Sequence, residues 1–294
     1  MIGVDFGGTQ IKAGTVRDGV VTRSVVRATG AGAAPDVVLD AIAQAVLELD
    51  PAPKSVGLAI PGEVNAAGKV WRLPNVPGFE GVNIADELRR RIGEARVAVE
   101  NDATAAALGE RLYGHGRKAP SFLLVTLGTG IGSGLVIGGR LVRGANGFAG
   151  EFGHVTIDPA ADAWPCNCGL TGCVEAYCGT SAMFRRYADL GGSGADTILE
   201  ISERARAGDA AAAQTFHATG RSLGLGLAGV QNLLDLDAIV FSGGISASFD
   251  LIEPGVRESL QQRAFAPPLG AVPLLVSELG EFAGLIGAAH LLEA

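Results

Sequence analysis

Two stretches decide the fold: Val4-Asp5-Phe6-Gly7-Gly8-Thr9 near the start, and Val125-Thr126-Leu127-Gly128-Thr129-Gly130 in the middle of the chain. Each is an apolar run closed by a glycine turn. Around the first, residues 2–6 read as a strand, Ile11 to Val16 as a second and Val20 to Val26 as a third, with Gly7-Gly8-Thr9 and Arg17-Asp18-Gly19 as the turns. Around the second, Leu123 to Leu127 and Gly132 to Ile137 are strands. Gly128-Thr129-Gly130 and Gly138-Gly139 are turns, and Leu141-Val142 starts a third strand. One strand-turn pattern met twice at so long a separation predicts two similar domains rather than a solenoid. Two unrelated glycine hairpins are the plain alternative.

Helical and extended segments alternate through the rest. Val38, Leu39, Ile42, Val46 and Leu49 recur at helical spacing within 35–49. Val56 to Ile60 is a strand ending at Pro61-Gly62, 84–92 a helix, and 97–99 a strand running into an alanine-rich helix that ends about Tyr113. Helices are expected at about 196–207, 209–234, 249–264 and 283–292, with strands at 238–241 and 272–276. This alternation defines an α/β protein. A length of 294 residues suits about two domains at roughly 150 residues each. The expected division is a small N-terminal domain, 1–118, completed by a C-terminal helix at about 281–294, and a larger domain at 119–280 carrying a metal loop.

Hydrophobic residues at 48% supply a sizeable core. Acidic residues outnumber basic ones 31 to 23, for a net charge of −8, which argues against nucleic acid as a partner. The N-terminus has no basic, cleavable apolar leader, so a cytoplasmic location is expected. Phe122 to Gly139 is uncharged, but its glycines, Thr and Ser make a buried β-hairpin a better reading than a membrane span. All four cysteines lie between Cys166 and Cys178, a clustering that suggests metal in a reducing compartment rather than disulfides.

Five motifs carry chemistry. In Asp5-Phe6-Gly7-Gly8-Thr9, backbone N–H groups of a glycine pair can approach phosphate oxygens. Thr9 adds a hydroxyl, Lys12 follows, and Asp5 could hold Mg²⁺ through water. Gly128-Thr129-Gly130 obeys the same logic, and two such cradles could grip one triphosphate. Gly243-Gly244, after an apolar strand, could let an adenine lie on backbone. Each alone could equally be an ordinary turn. Glu100-Asn101-Asp102 stands between a strand and a helix. Asp102 could be a general base, kept ionised by the helix N-terminus, and Asn101 could bond a hydroxyl; a plain N-cap is the competing reading. The fifth is the most specific: His154 in Gly150-Glu151-Phe152-Gly153-His154, with Cys166, Cys168 and Cys173, forms a Cys₃His set suited to structural tetrahedral Zn²⁺. Cys178 reads as a small buried residue.

Taken in order, these motifs and Glu175 resemble the ROK family of sugar kinases, within the actin, Hsp70 and hexokinase fold group, over essentially the whole chain. The resemblance implies two ribonuclease H-like domains flanking a cleft. It also implies ATP- and Mg²⁺-dependent phosphorylation of a hexose 6-hydroxyl, most simply that of glucose, with N-acetylglucosamine or N-acetylmannosamine as alternatives. Asp102 becomes the catalytic base; Gly62, Asn75, Asn101, Glu151, His154 and Glu175 become sugar contacts, His154 serving zinc with its other nitrogen. It favours a homodimer or homotetramer. Asn167, Cys178 and Thr180 depart from the family pattern, at positions expected to touch no ligand. A sugar-responsive regulator is the competitor from another class. The expected first strand at Ile2 leaves no helix-turn-helix ahead of it.

Overall fold

The computed structural model describes residues 1–30, 32–65, 67–74 and 76–293; the expectation for Asn75 falls outside them. The chain runs β1 (Ile2–Phe6), β2 (Gln10–Arg17), β3 (Val20–Ala28), α1 (Pro35–Leu49), β4 (Ser55–Ile60), β5 (Glu63–Val64), β6 (Val70–Arg72), α2 (Ile84–Ile92), β7 (Arg96–Asn101) and α3 (Asp102–Tyr113). It continues through β8 (Phe122–Leu127), β9 (Ile131–Ile137), β10 (Arg140–Val142), α4 (Val174–Cys178), α5 (Thr180–Asp189), α6 (Ile198–Arg206) and α7 (Ala210–Leu234). The last elements are β11 (Ala238–Ser242), α8 (Phe249–Arg263), α9 (Pro267–Gly270), β12 (Leu274–Val276) and α10 (Ala283–Ala289).

Two compact units result. One comprises Met1–Leu124, Gly134–Gly150 and Glu278–Ala294; the other comprises Val125–Ser133 and Glu151–Ser277, so the boundary passes through β8 and β9. The first sheet has the order β3-β2-β1-β4-β7, antiparallel from β3 to β1 and parallel from β1 to β7. The second, β10-β9-β8-β11-β12, repeats that order strand for strand. The duplicated glycine turns are therefore the first turns of two equivalent sheets, and the uncharged stretch from Phe122 to Gly139 is β8 and β9. No helix among the described residues is long and apolar enough to cross a membrane.

In the first unit β4 is almost wholly buried, as expected of a parallel strand covered on both faces. One face meets Val38, Leu39, Ile42 and Val46 of α1 and Ile84, Leu88 and Ile92 of α2, with Phe6 and Phe79 ring to ring at 6.0 Å. Each such side chain contributes about 1.5–3 kcal/mol on burial. α10 packs against β1, β4 and α3. That contact is backbone to backbone: a Cβ on Gly57 of β4 would lie 1.6 Å from the Ala288 carbonyl oxygen, and one on Gly287 1.7 Å from that of Ala105.

Helices α4 and α5 escape a periodicity reading. α4 has five residues, and Gly179 separates it from α5, so neither builds a long apolar stripe.

Candidate active site

In the first unit, Asp5 on β1 faces Lys12 on β2 in register. The turn between them is tied from behind. Gly7 N–H donates to the Gln10 carbonyl at 2.8 Å, Thr29 N–H to the Thr9 carbonyl at 2.9 Å, and the Thr29 hydroxyl to the Gly7 carbonyl at 2.7 Å. Neither Gly7 nor Gly8 takes a positive φ, so this turn uses glycine for its missing side chain and not for its handedness. Lys12 is engaged by Glu281, which sequence reasoning did not pick out.

β7 passes into α3 with no intervening loop. Asn101 caps the helix, its side-chain oxygen accepting Thr104 N–H at 3.0 Å, while its amide donates to the Gly62 carbonyl at 3.2 Å. Gly62 sits so close to β6 that a Cβ would come within 2.2 Å of the Arg72 carbonyl oxygen. The cap reading of Asn101 is therefore realised, and it joins Asn101, Gly62 and Asp102 into one corner.

Asp102 opens α3 and accepts Ala103 N–H at 2.7 Å. Its carboxyl is nonetheless pushed up to about 7, first by burial and next by the charges of Asp5 and Glu63, which outweigh the hydrogen bond. This corrects the expectation that the helix N-terminus alone holds Asp102 ionised: removal from water and two like charges win over the dipole. Burial also raises Asp5, with Lys12 pulling the other way. Glu63 went unnoticed in the sequence, although it directly follows Pro61-Gly62.

In the second unit, Gly128-Thr129-Gly130 closes on itself, Gly128 N–H donating to the Gly130 carbonyl at 3.1 Å. Thr180, at the start of α5, donates to the Gly128 carbonyl through its N–H at 3.1 Å and its hydroxyl at 2.9 Å. A cavity of about 390 Å³ opens beside them, lined by Gly128, Thr180, Phe184, Thr197, Gly244 and Ile245 among others. The second and third glycine motifs thus share one cavity. Gly243 holds φ +87°, and a Cβ there would lie 2.5 Å from the Leu127 carbonyl oxygen. Thr180, a position expected to touch no ligand, begins α5 on the glycine turn and lines this cavity. Phe184 and Thr197 carry no local motif that would have disclosed them.

The metal-type donors also converge here. Ligating atoms of His154, Cys166, Cys168 and Cys173 all lie within 4.8 Å of one another. His154 Nδ1 is 3.7 Å from Cys166 Sγ, and Cys168 Sγ is 3.7 Å from Cys173 Sγ. Burial raises the Cys166 and Cys173 thiols. Three sulfurs and one imidazole suit zinc's tetrahedral preference. Cys178 stands apart, bonded to the Thr219 carbonyl at 3.7 Å and pushed up to about 12 by burial. The other His154 nitrogen, Nε2, is 4.0 Å from Glu151. Glu175 ties the loop to the glycine turn: Oε2 accepts Ile131 N–H at 3.0 Å, and Oε1 lies 3.5 Å from Cys166 Sγ. Trp164 and Tyr177, stacked at 4.9 Å, brace this loop under Arg185.

The ROK family model matches residues 1–294, and the chain belongs to that family. A glucokinase of Thermotoga maritima is 32% identical over 310 residues, covering 100% of this chain and 97% of its own. An N-acetylgalactosamine kinase of Shewanella is 32% identical, covering 98% and 95%. The crystal structure of a ROK glucokinase from Streptomyces griseus, in complex with glucose and AMPPNP, is 34% identical. It superposes with a TM-score of 0.83 over 99% of this chain and 98% of its own.

Proposed function

We propose that this protein is a hexose kinase that transfers the γ-phosphoryl group of ATP to the 6-hydroxyl of glucose. The observation that carries the reading is Asp102, a carboxyl held at a strand-to-helix corner and poised near neutrality, where a general base works best. It takes the hydroxyl proton as the oxygen attacks phosphorus. Phosphoryl transfer asks for positioning and charge neutralisation rather than covalent catalysis by the protein. Gly62, Asn75, Asn101, Glu151, His154 and Glu175 bind the sugar. Asp5, Gly7, Gly8, Thr9, Lys12, Gly128, Thr129, Gly130, Gly243 and Gly244 hold the nucleotide, and Asp5 is the anchor for Mg²⁺. The shared cavity of Gly128 and Gly244 and the likeness to glucokinases support these roles.

His154, Cys166, Cys168 and Cys173 would hold a structural zinc ion. It would fix the His154 tautomer, leaving Nε2–H as an oriented donor. The four free cysteines fit a cytoplasmic setting. Exposed Leu233 and Phe265 offer apolar surface for a homodimer or homotetramer.

The Shewanella relative favours a second reading, in which the acceptor is an N-acetylated hexosamine. A panel of hexoses and N-acetylhexosamines with ATP and Mg²⁺, scored by ADP release, separates the two. Glucose should give the highest kcat/KM; preference for an acetamido sugar would transfer the assignment to the second reading, and no acceptor-dependent ADP would end both.

A further inference from the structure

Glu100 is the residue before the helix cap and is 8% exposed. Both of its oxygens are committed. Oε1 accepts the Asn101 N–H at 3.1 Å, and Oε2 accepts Arg143 Nε at 2.7 Å. Arg143 directly follows β10, distant in sequence but in the same unit. Its side chain is 41% exposed and borders a cavity of about 360 Å³ that Asn83, Arg89 and Val99 also line. Packing therefore does little to fix the guanidinium; the ion pair does.

Asn101 is consequently gripped at three points: its backbone N–H by Glu100, its side-chain oxygen by Thr104, and its side-chain amide by Gly62. The next residue is Asp102. A nearly buried carboxylate stays in place only while its charge is matched, and Arg143 is the cation matched to Glu100. A shift of the corner carries the neighbouring Asp102 with it.

We propose that Arg143 and Glu100 act as one unit to position Asp102, with Arg143 aligning Glu100 and Glu100 holding the Asn101 backbone. They are positioning residues. This inference rests on the reading of Asp102 as the base. A displacement of about 1 Å at a reacting group can cost about a hundredfold in rate without any change in what binds.

The test compares Arg143→Met, Arg143→Lys, Glu100→Gln, the Arg143→Met/Glu100→Gln double variant and Asp102→Asn, with ATP, Mg²⁺ and the preferred hexose. Arg143→Met and Glu100→Gln should each lower kcat about 10- to 100-fold while sugar KM moves less than about threefold. The double variant should be no worse than the poorer single one, since the pair acts together. Arg143→Lys, which keeps the charge, should recover most of the rate. A folded Arg143→Met or Glu100→Gln enzyme with kcat within about twofold of wild type, or single losses that multiply in the double variant, overturns the proposal. So does a rise in KM at unchanged kcat. If Arg143→Met fails to fold, Glu100→Gln decides by the same criteria. Turnover by Asp102→Asn would defeat the base reading itself; an inactive Asp102→Asn beside a full-rate Arg143→Met defeats only the positioning.

Discussion

Asp102 concentrates the conflict between two local rules. A helix N-terminus favours an anion there, while burial and the carboxylates of Asp5 and Glu63 disfavour it, and the second influence is the larger. In the unfolded chain the group ionises near 3.8, and in the folded protein near 7. Between those values the folded state binds more protons, so this group makes stability fall as pH rises from about 4 through 7. Asp102→Asn removes the ionisation. The variant should match wild type at pH 4 and exceed it by a few kcal/mol at pH 8, at roughly 1.4 kcal/mol for each pH unit between the two values. Urea unfolding at the two pH values measures this, and an equal difference at both would show that folding does not disfavour the ionised carboxylate. The same substitution should cut kcat at least about a hundredfold while sugar affinity changes little, which isothermal titration beside steady-state kinetics can read.

Two elements depend on contacts that leave no slack. α10 lies backbone to backbone on β4, with Ala288 against Gly57. Gly57→Ala should cost about 3 kcal/mol, the upper end for an overpacked site, because the opposing atom is a carbonyl and not a movable side chain. A loss under about 1 kcal/mol in urea unfolding would mean that α10 can lift away. The loop carrying Cys166, Cys168 and Cys173 is pinned by short-range backbone bonds, Cys166 N–H to the Leu170 carbonyl at 2.8 Å and Gly172 N–H to the Trp164 carbonyl at 2.9 Å, and it belongs to no extended sheet. Cys173→Ser should abolish stoichiometric zinc and lower Tm and sugar affinity together, because Glu175 is fastened to the same loop. Metal analysis of the wild-type protein showing no zinc would remove that assignment.

At the scale of the whole molecule, the duplicated sheet gives each unit its own glycine turn, and the proposed nucleotide and sugar ligands should therefore each stabilise the protein. A non-hydrolysable ATP analogue, or glucose, at one hundred times its Kd should each add about 2.7 kcal/mol to unfolding stability. Thermal scans test this; an analogue that leaves Tm unmoved at millimolar concentration contradicts a nucleotide site at the Gly128–Gly244 cavity.

Most of the fold was legible in the linear order of residues. Strand alternation, helical spacing and glycine turns are short-range signals, and the repeat of Val4 to Thr9 at Val125 to Gly130 announced two equivalent sheets. Motif residues were legible for the same reason, since Asn101-Asp102 and the Cys₃His set are local in sequence. The influences on them were not. Glu63 against Asp102, Glu281 on Lys12, Arg143 on Glu100 and Thr180 on Gly128 all join residues far apart along the chain. Which side chains meet, and so what charge each holds, depends on how strands and helices pack. Burial and Coulomb attraction act through space, and no spacing of letters encodes them.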